Sequence, residues 1–422
     1  MRIQTCRTSL AGAQRRAAVW WPNGASMAIE PTSNRAMVSG VTLPLSNLVS
    51  VNRNSIGTAL RADGSLQKFQ ANQLRATDRG LLIEPTATNV ILQSQSFGMA
   101  PWFDVAANIA AGGPGPDNTM NSNKLVENST SSTHYVVQTV SLVAGTEYTS
   151  SFYVKAVGRE RVQIRCNDGA DWARCSFNLN TGLAETPTAG SAQITALANN
   201  WFRISVTGTP TIGTGSGIQL YLLDDVGNLS YLGDSVSAVE VWGAQLESGT
   251  FATSYIQTTA TSTTRNADNI SLIPSGNLPF AGFNPNVGTF VVEHVKDQTN
   301  TGFTRLFAIN KGSGNDEITL YTFNGNISVL IAAGGVSQAD MIGGSYAIGT
   351  IGRTAMGYAS NDIAISTDGG GIVADPSANL PTGLTVANIG SLAGGTQLNG
   401  TIRALTYFPT RLSNSELQAL SA

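Results

Sequence analysis

The 422-residue chain is long for a single core and implies two or three domains. Charged residues are only 12% of it, about half the usual ~25%, while hydrophobic residues reach 41%. Ample core material with 45 glycines and much Ser, Thr and Asn favours strands and turns, because helix surfaces want Glu, Lys, Arg and Ala.

The net charge of −3 hides an asymmetry. Residues 1–80 carry nine Arg and one Lys against Glu30, Asp63 and Asp78; the rest carries 14 basic and 24 acidic residues. Such a leader could anchor on an acidic partner, although scattered solvated arginines explain the count as well. The arginines are dispersed and no recognised motif holds them, which argues against nucleic acid as a partner. No apolar stretch approaches the ~20 residues of a membrane span, so membrane insertion is not expected. Polar residues interrupt the segment after Arg2, so a secretory signal is not indicated.

In chain order, the first 78 residues are irregular. Pro22, Gly24, Pro31, Gly40, Pro44 and Gly57 punctuate short apolar runs such as Met37–Val38 and Val41–Leu43. Extended arms and short strands are expected there, ordered by contact with something else, with Trp20 and Trp21 as packing anchors. From Gly80 the pattern becomes regular. Val136, Val140 and Leu142, then Tyr148, Phe152 and Val154, line one face across the turn at Ala144–Thr146, a hairpin by period. Val162, Ile164 and Cys166 share a face before the Asn167–Gly169 turn, and Cys175 and Phe177 lead back. Phe202 to Val206, Ile218 to Leu222 and Val239 to Trp242 continue at sandwich spacing. Residues 257–275, rich in Thr, Ser and Asn, read as a linker.

A second set of strands follows, among them Thr289–Val295, Leu306–Ile309, Ile318–Phe323, Ile327–Ile331, Ile363–Ser366 and Thr401–Phe408. Asn324-Gly325 is a tight-hairpin signal. Ser413 to Glu416 forms a capping box, with Leu412 and Leu417 placed for a hydrophobic staple, so one short terminal helix is expected. The fold class is therefore all-β: two jelly-roll-like β-sandwiches, an irregular N-terminal segment and a short C-terminal helix. Three cysteines make no disulfide framework. Cys166 and Cys175 could bridge across strands, but buried thiols are the preferred reading; Cys6 stands apart.

Several segments together resemble the head-spike/tail-fibre domain of phage proteins. They are Arg79–Glu84, Asn89–Ser94, Phe97 with Trp102, His134–Val140, Ala144–Tyr148, Phe152–Ala156, Phe177–Gly182, Trp201–Arg203, Val241–Glu247 and Phe251–Ile256. The resemblance covers residues 79–270 and implies a carbohydrate-binding-module-like jelly roll. Asn399–Tyr407, with Leu412-Ser413 and Glu416-Leu417, is similar to the close of a laminin-G/concanavalin-like sandwich over 271–422. Residues 1–78 match nothing and are assigned an anchoring role by position.

Catalytic chemistry finds little support. His134 and His294 sit inside strands, and no nucleophile elbow or metalloprotease motif accompanies them. Asp224-Asp225 and Asp316-Glu317 lie beside turns, where Asp bonds locally. No cofactor is implied and no motif marks a metal site. Sugar binding needs an exposed aromatic face with hydrogen-bonding neighbours. The loop residues Trp172, Tyr231, Asp234 and Trp102 are the candidates, weighed against plain packing, whereas Trp201 and Trp242 are read as core.

The resemblance implies a virion structural protein, a head spike, head fibre or tail decoration, assembled in the host cytoplasm and displayed on the particle surface. It would bind other virion proteins through residues 1–78, a host glycan through its sandwiches, and copies of itself, as trimers by analogy. A glycan-active depolymerase or its accessory module is the alternative. A secreted bacterial adhesin is a third reading, and it would require an export signal.

Overall fold

The computed structural model describes residues 20–297, 302–392 and 395–422. It is nearly all antiparallel strand, arranged as two β-sandwiches. The expected turn and helix are present. Asn324 and Gly325 both take positive φ and join Glu317–Phe323 to Asn326–Ala333, as a tight two-residue hairpin demands. The one α-helix described, Asn414–Ser421, starts at the Ser413 capping box. Leu412 and Leu417 pack with Val291, Ala355, Ala364 and Phe408 on one outer face of the second sandwich.

The first sandwich pairs a seven-stranded with a six-stranded sheet. The seven-stranded sheet runs Phe103–Val105, Ser131–Val140, Ser216–Leu223, Arg161–Asn167, Asp171–Asn178 and Leu183–Ala184, with Ser230–Leu232 against the start of Ser131–Val140. The six-stranded sheet runs Ala107–Ala111, Asn123–Glu127, Ala238–Ser248, Tyr148–Val157, Phe202–Gly208 and Ser191–Ala196. Alternation seals Val136, Phe152, Ile164, Val206, Leu220 and Val241 between them, all fully buried.

The second sandwich is not contiguous in sequence. Its ten-stranded sheet contains Val287–Lys296, Gly400–Phe408 and Ile351–Ala359, but also Met27–Glu30, Arg35–Val38, Val41–Pro44 and Gly80–Ile83. Met27–Glu30 pairs with Gly400–Phe408, and Val49–Asn52 pairs with Asn269–Leu272 in the opposite sheet. Of the extended arms and short strands expected over 1–78, the short strands are present from Met27 on; what is corrected is their partner, since they complete the second sandwich and the first sandwich is an insertion. A four-residue apolar run is too short to name its partners, and beside its local partner Arg35–Val38 the strand Met27–Glu30 has one hundreds of residues away. The linker expected over 257–275 is corrected likewise, since Thr263–Arg265 pairs with Ala87–Asn89 and Asn269–Leu272 joins a sheet.

The two crossings between sandwiches run side by side and meet at a buried ionic cluster. Arg53, Arg75 and Arg265 are fully buried; Asp268 and Glu84 are 0% and 5% exposed. Asp268 accepts from Arg53 at 2.8 Å, from the Arg75 guanidinium and from the Glu84 backbone N–H at 3.0 Å. Glu84 accepts from Arg75 at 2.6 Å and pairs with Arg265 at 3.0 Å. Desolvation pushes the Glu84 carboxyl up, but Arg265, Arg75 and hydrogen bonds from Ser254 outweigh it and leave the carboxyl pulled down to about 2. Two arginines of the supposed basic leader, Arg53 and Arg75, are thus structural counter-ions, and Arg35 pairs with Glu30. Cys6, Arg2, Arg7, Arg15 and Arg16 lie outside the described residues.

Candidate functional site

The four loop residues chosen from the sequence do not form one site. Trp172 is 6% exposed within strand Asp171–Asn178 and packs in the first core. A bulge sets Asn167 opposite Asp171, so the turn shrinks to residues 168–170 and Trp172 falls on the inward side. Trp102 is 5% exposed, stacks near Phe97 at 4.9 Å and donates its indole N–H to the Gln93 carbonyl at 3.1 Å. Tyr231 is half-buried: its hydroxyl donates to Glu127 at 2.7 Å and the Arg159 guanidinium lies 4.8 Å over its ring. Asp234 is exposed, but its carboxylate accepts from the N–H groups of Val236 and Ser237, which hold it well below the usual carboxylate range. Both tryptophans are core, and the other two residues brace the rim of the sandwich.

Both histidines lie in strands, as expected. His134 is buried, with ring nitrogens 2.5 Å from the Ala106 carbonyl and 3.3 Å from that of Tyr231. His294 is buried with neither nitrogen partnered among the described residues. Asp224 accepts the Val226 and Asn228 N–H groups, as its turn position implied. Glu317 departs from the turn reading: it lies in a strand, 1% exposed, against Arg305 at 3.1 Å. Cys166 and Cys175 are free, buried thiols on adjacent strands, opposite Ala173 and Ile164 respectively.

The outer face of the first sandwich's seven-stranded sheet is partly open: Phe103 is exposed and Tyr135, Gln219, Arg165 and Arg174 are half-buried, while Tyr221 and Gln163 between them are each only 5% exposed. The residues between the inward ones form registered rows across this face. Val105, Tyr135, Tyr221, Gln163 and Ser176 face one another in one row; Phe103, Val137, Gln219, Arg165 and Arg174 make the next. The Tyr135 and Tyr221 rings stack with centroids 4.4 Å apart, and Phe103 is 66% exposed. Polar groups beside the rings are held in place. Gln219 accepts from the Tyr221 hydroxyl at 3.1 Å and from Asn167 at 3.3 Å. Gln163 accepts from Arg174 at 2.9 Å and donates to Ser176 at 2.9 Å.

Asp171 is the one carboxylate in this set, accepting from Arg165 at 2.6 Å and Arg174 at 3.2 Å. The hydrogen bond to Asp171 leads in raising the Arg165 pKa, and burial raises that of Tyr221. The face therefore combines the accessible rings of Phe103 and Tyr135, the latter backed by buried Tyr221, with braced amide and guanidinium groups. Such a surface can take the C–H face of a sugar ring and hydrogen-bond its hydroxyls.

The opposite outer face is closed. Tyr153, Trp201, Trp242 and Tyr255 pack there with Leu66 and Leu197, and Trp242 stacks on Tyr255 at 4.4 Å. Both indoles are 1% exposed, consistent with core. Sequence reasoning looked for ligand contacts in loops and missed the strand faces. The signal was present: Tyr135, Gln163, Arg165, Arg174, Gln219 and Tyr221 all alternate with apolar positions already assigned to the core.

No family model and no curated protein matches the chain. Among solved structures it is similar over short stretches to the Ruminococcus gnavus IT-sialidase CBM40 bound to alpha2,6 sialyllactose, at 18% identity and TM-score 0.29, covering 32% of this chain and 84% of that one. Domain 4 of AbnA, a GH43 extracellular arabinanase from Geobacillus stearothermophilus, in complex with arabinotriose, aligns at 15% identity and TM-score 0.29, covering 41% and 82%. Mouse laminin alpha1 chain, domains LG4-5, aligns at 10% identity and TM-score 0.23, covering 66% and 85%.

Proposed function

We propose that this chain is a non-catalytic glycan-binding protein of a bacteriophage particle, presenting the open sheet of its first sandwich to a saccharide on the host surface. The observation that carries the binding reading is the half-buried Tyr135, stacked on the buried Tyr221 ring, with exposed Phe103 and the braced Gln219, Arg165 and Arg174 on the outer face of the seven-stranded sheet. Asp171 is tied to two arginines and is not free to act as the acid or base of glycoside hydrolysis. The phage assignment rests on the segment resemblance over 79–270. A single shallow site binds weakly, and many copies on one particle raise the effective concentration.

The test is a glycan array probed with the full chain, multimerised on beads, alongside Tyr221→Ala and Trp172→Ala. Tyr221→Ala removes the buried ring that backs Tyr135 and is expected to abolish binding, with circular dichroism and thermal melting reporting whether the fold is retained. Trp172→Ala acts through the core instead and lowers stability. Binding that survives Tyr221→Ala, or no binding to any saccharide, refutes the sheet-face reading. Electron microscopy of the parent particle tests the placement.

A further inference from the structure

A second recessed site lies where the two sandwiches meet. The cleft has a volume of about 540 Å³, within the ~300–1,000 Å³ range of small-molecule sites. Its walls come from three parts of the chain. Tyr153, Gln193 and Arg203 belong to the first sandwich, Asn399 and Arg403 to the second, and Arg79 to the segment before the crossing.

The polar groups turned toward this space are mostly donors with capacity to spare. Arg203 gives one hydrogen bond to the Thr253 carbonyl at 2.7 Å and one to Ser151 at 3.0 Å, which leaves its buried Nε unpartnered. Asn399 is 4% exposed, and its Nδ2 has no partner among the described residues. The exposed guanidinium of Arg79 makes no hydrogen bond or ion pair among the described residues, while its backbone carbonyl accepts from Arg403 at 3.0 Å. Of the two lining carboxylates, Glu84 is committed to Arg75 and Arg265, and Asp297 alone faces Arg79. Burying unpaired donors costs free energy, and a bound acceptor would recover it. Exposed Ile348 and Ile351 on the same wall supply an apolar surface.

We infer that this cleft binds a carboxylate-bearing saccharide unit: Arg79 pairs with the carboxylate, Arg203 and Asn399 donate to ring oxygens, and the isoleucines meet the C–H face. The site is separate from the open sheet face and does not depend on it. Because its walls come from both sandwiches, an occupant would also tie them together.

The experiment is calorimetric titration of the full chain with digalacturonate and with neutral digalactose, repeated on Arg79→Gln, Arg79→Lys and Tyr221→Ala. Loss of one charge-assisted hydrogen bond weakens binding about tenfold or more. Digalacturonate is thus expected to bind at least about tenfold more tightly than digalactose. Arg79→Gln should erase that difference, Arg79→Lys should keep part of it, and Tyr221→Ala should leave it intact. Absence of digalacturonate binding overturns the inference, as does equal affinity for both sugars or an unchanged affinity in Arg79→Gln. Loss of binding in Tyr221→Ala alone would move the ligand to the sheet face and also overturn it.

Discussion

Replacing Asp268 with alanine should loosen the junction between the sandwiches. Asp268 is 0% exposed and is the carboxylate bonded to Arg53; it also serves Arg75 and the Glu84 backbone N–H. Arg75 keeps Glu84, the Thr58 carbonyl and Ser254, whereas Arg53 keeps only the carbonyls of Ser55 and Gln70. One guanidinium is then buried without a counter-ion. Breaking a buried pair in this way costs about 3–5 kcal/mol, where a surface pair would cost under ~1 kcal/mol. At roughly 2–4 °C per kcal/mol for a unit of this size, the midpoint should fall by about 6–20 °C.

Differential scanning calorimetry measures that fall. Limited proteolysis should show earlier cutting within residues 84–90 and 257–268, where the two crossings run. A midpoint change under about 2 °C would mean that water or relaxation replaces the pairing, and the ionic account of the junction would fail. Acid probes the same cluster. The Glu84 carboxyl is held at about 2, below its ordinary value, so its stabilisation is complete above the unfolded value near 4.5 and is lost as pH falls through about 2.

His294 is buried with both ring nitrogens unpartnered, and desolvation pushes it down to about 4. His294→Phe should therefore raise stability by about 1–2 kcal/mol and flatten the loss that otherwise develops as pH falls from 6.5 toward 4; destabilisation in urea titrations would indicate a partner for the ring. Burial pushes the Cys175 thiol up to about 11 and raises Cys166 as well, so native protein should resist thiol-labelling reagents and both should react after unfolding. Fast labelling of the native protein would contradict the core placement. Ser413→Ala removes the capping box of the terminal helix and should cost about 0.5–2 kcal/mol, read by chemical denaturation. An unchanged midpoint would show that the helix is held by Leu417 packing alone.

Period-2 alternation identified many strands of both sandwiches, because sealing one face of a sheet imposes it locally, but Asn123–Glu127, Val336–Ser345 and Ile351–Ala359 went unread. Turn and cap chemistry is equally local, so Asn324-Gly325 and Ser413 to Glu416 could be read directly. Partnership is not local. Met27–Glu30 pairs on one side with its neighbour Arg35–Val38, but its other partner is Gly400–Phe408, and no property of four residues names a partner so far along the chain. Tertiary structure therefore decided that the first sandwich is an insertion and that Arg53 and Arg75 are buried counter-ions. It also decided which face of each sheet stays open. The positions of Tyr135 and Tyr221 on outward parity were legible, but the two sheets of the first sandwich look alike in sequence. Only the packing of Tyr153, Trp201, Trp242 and Tyr255 against Leu66 and Leu197 closes one and leaves the other partly open. Trp172 shows the same limit at the scale of one residue: a single bulge turned a loop aromatic into core.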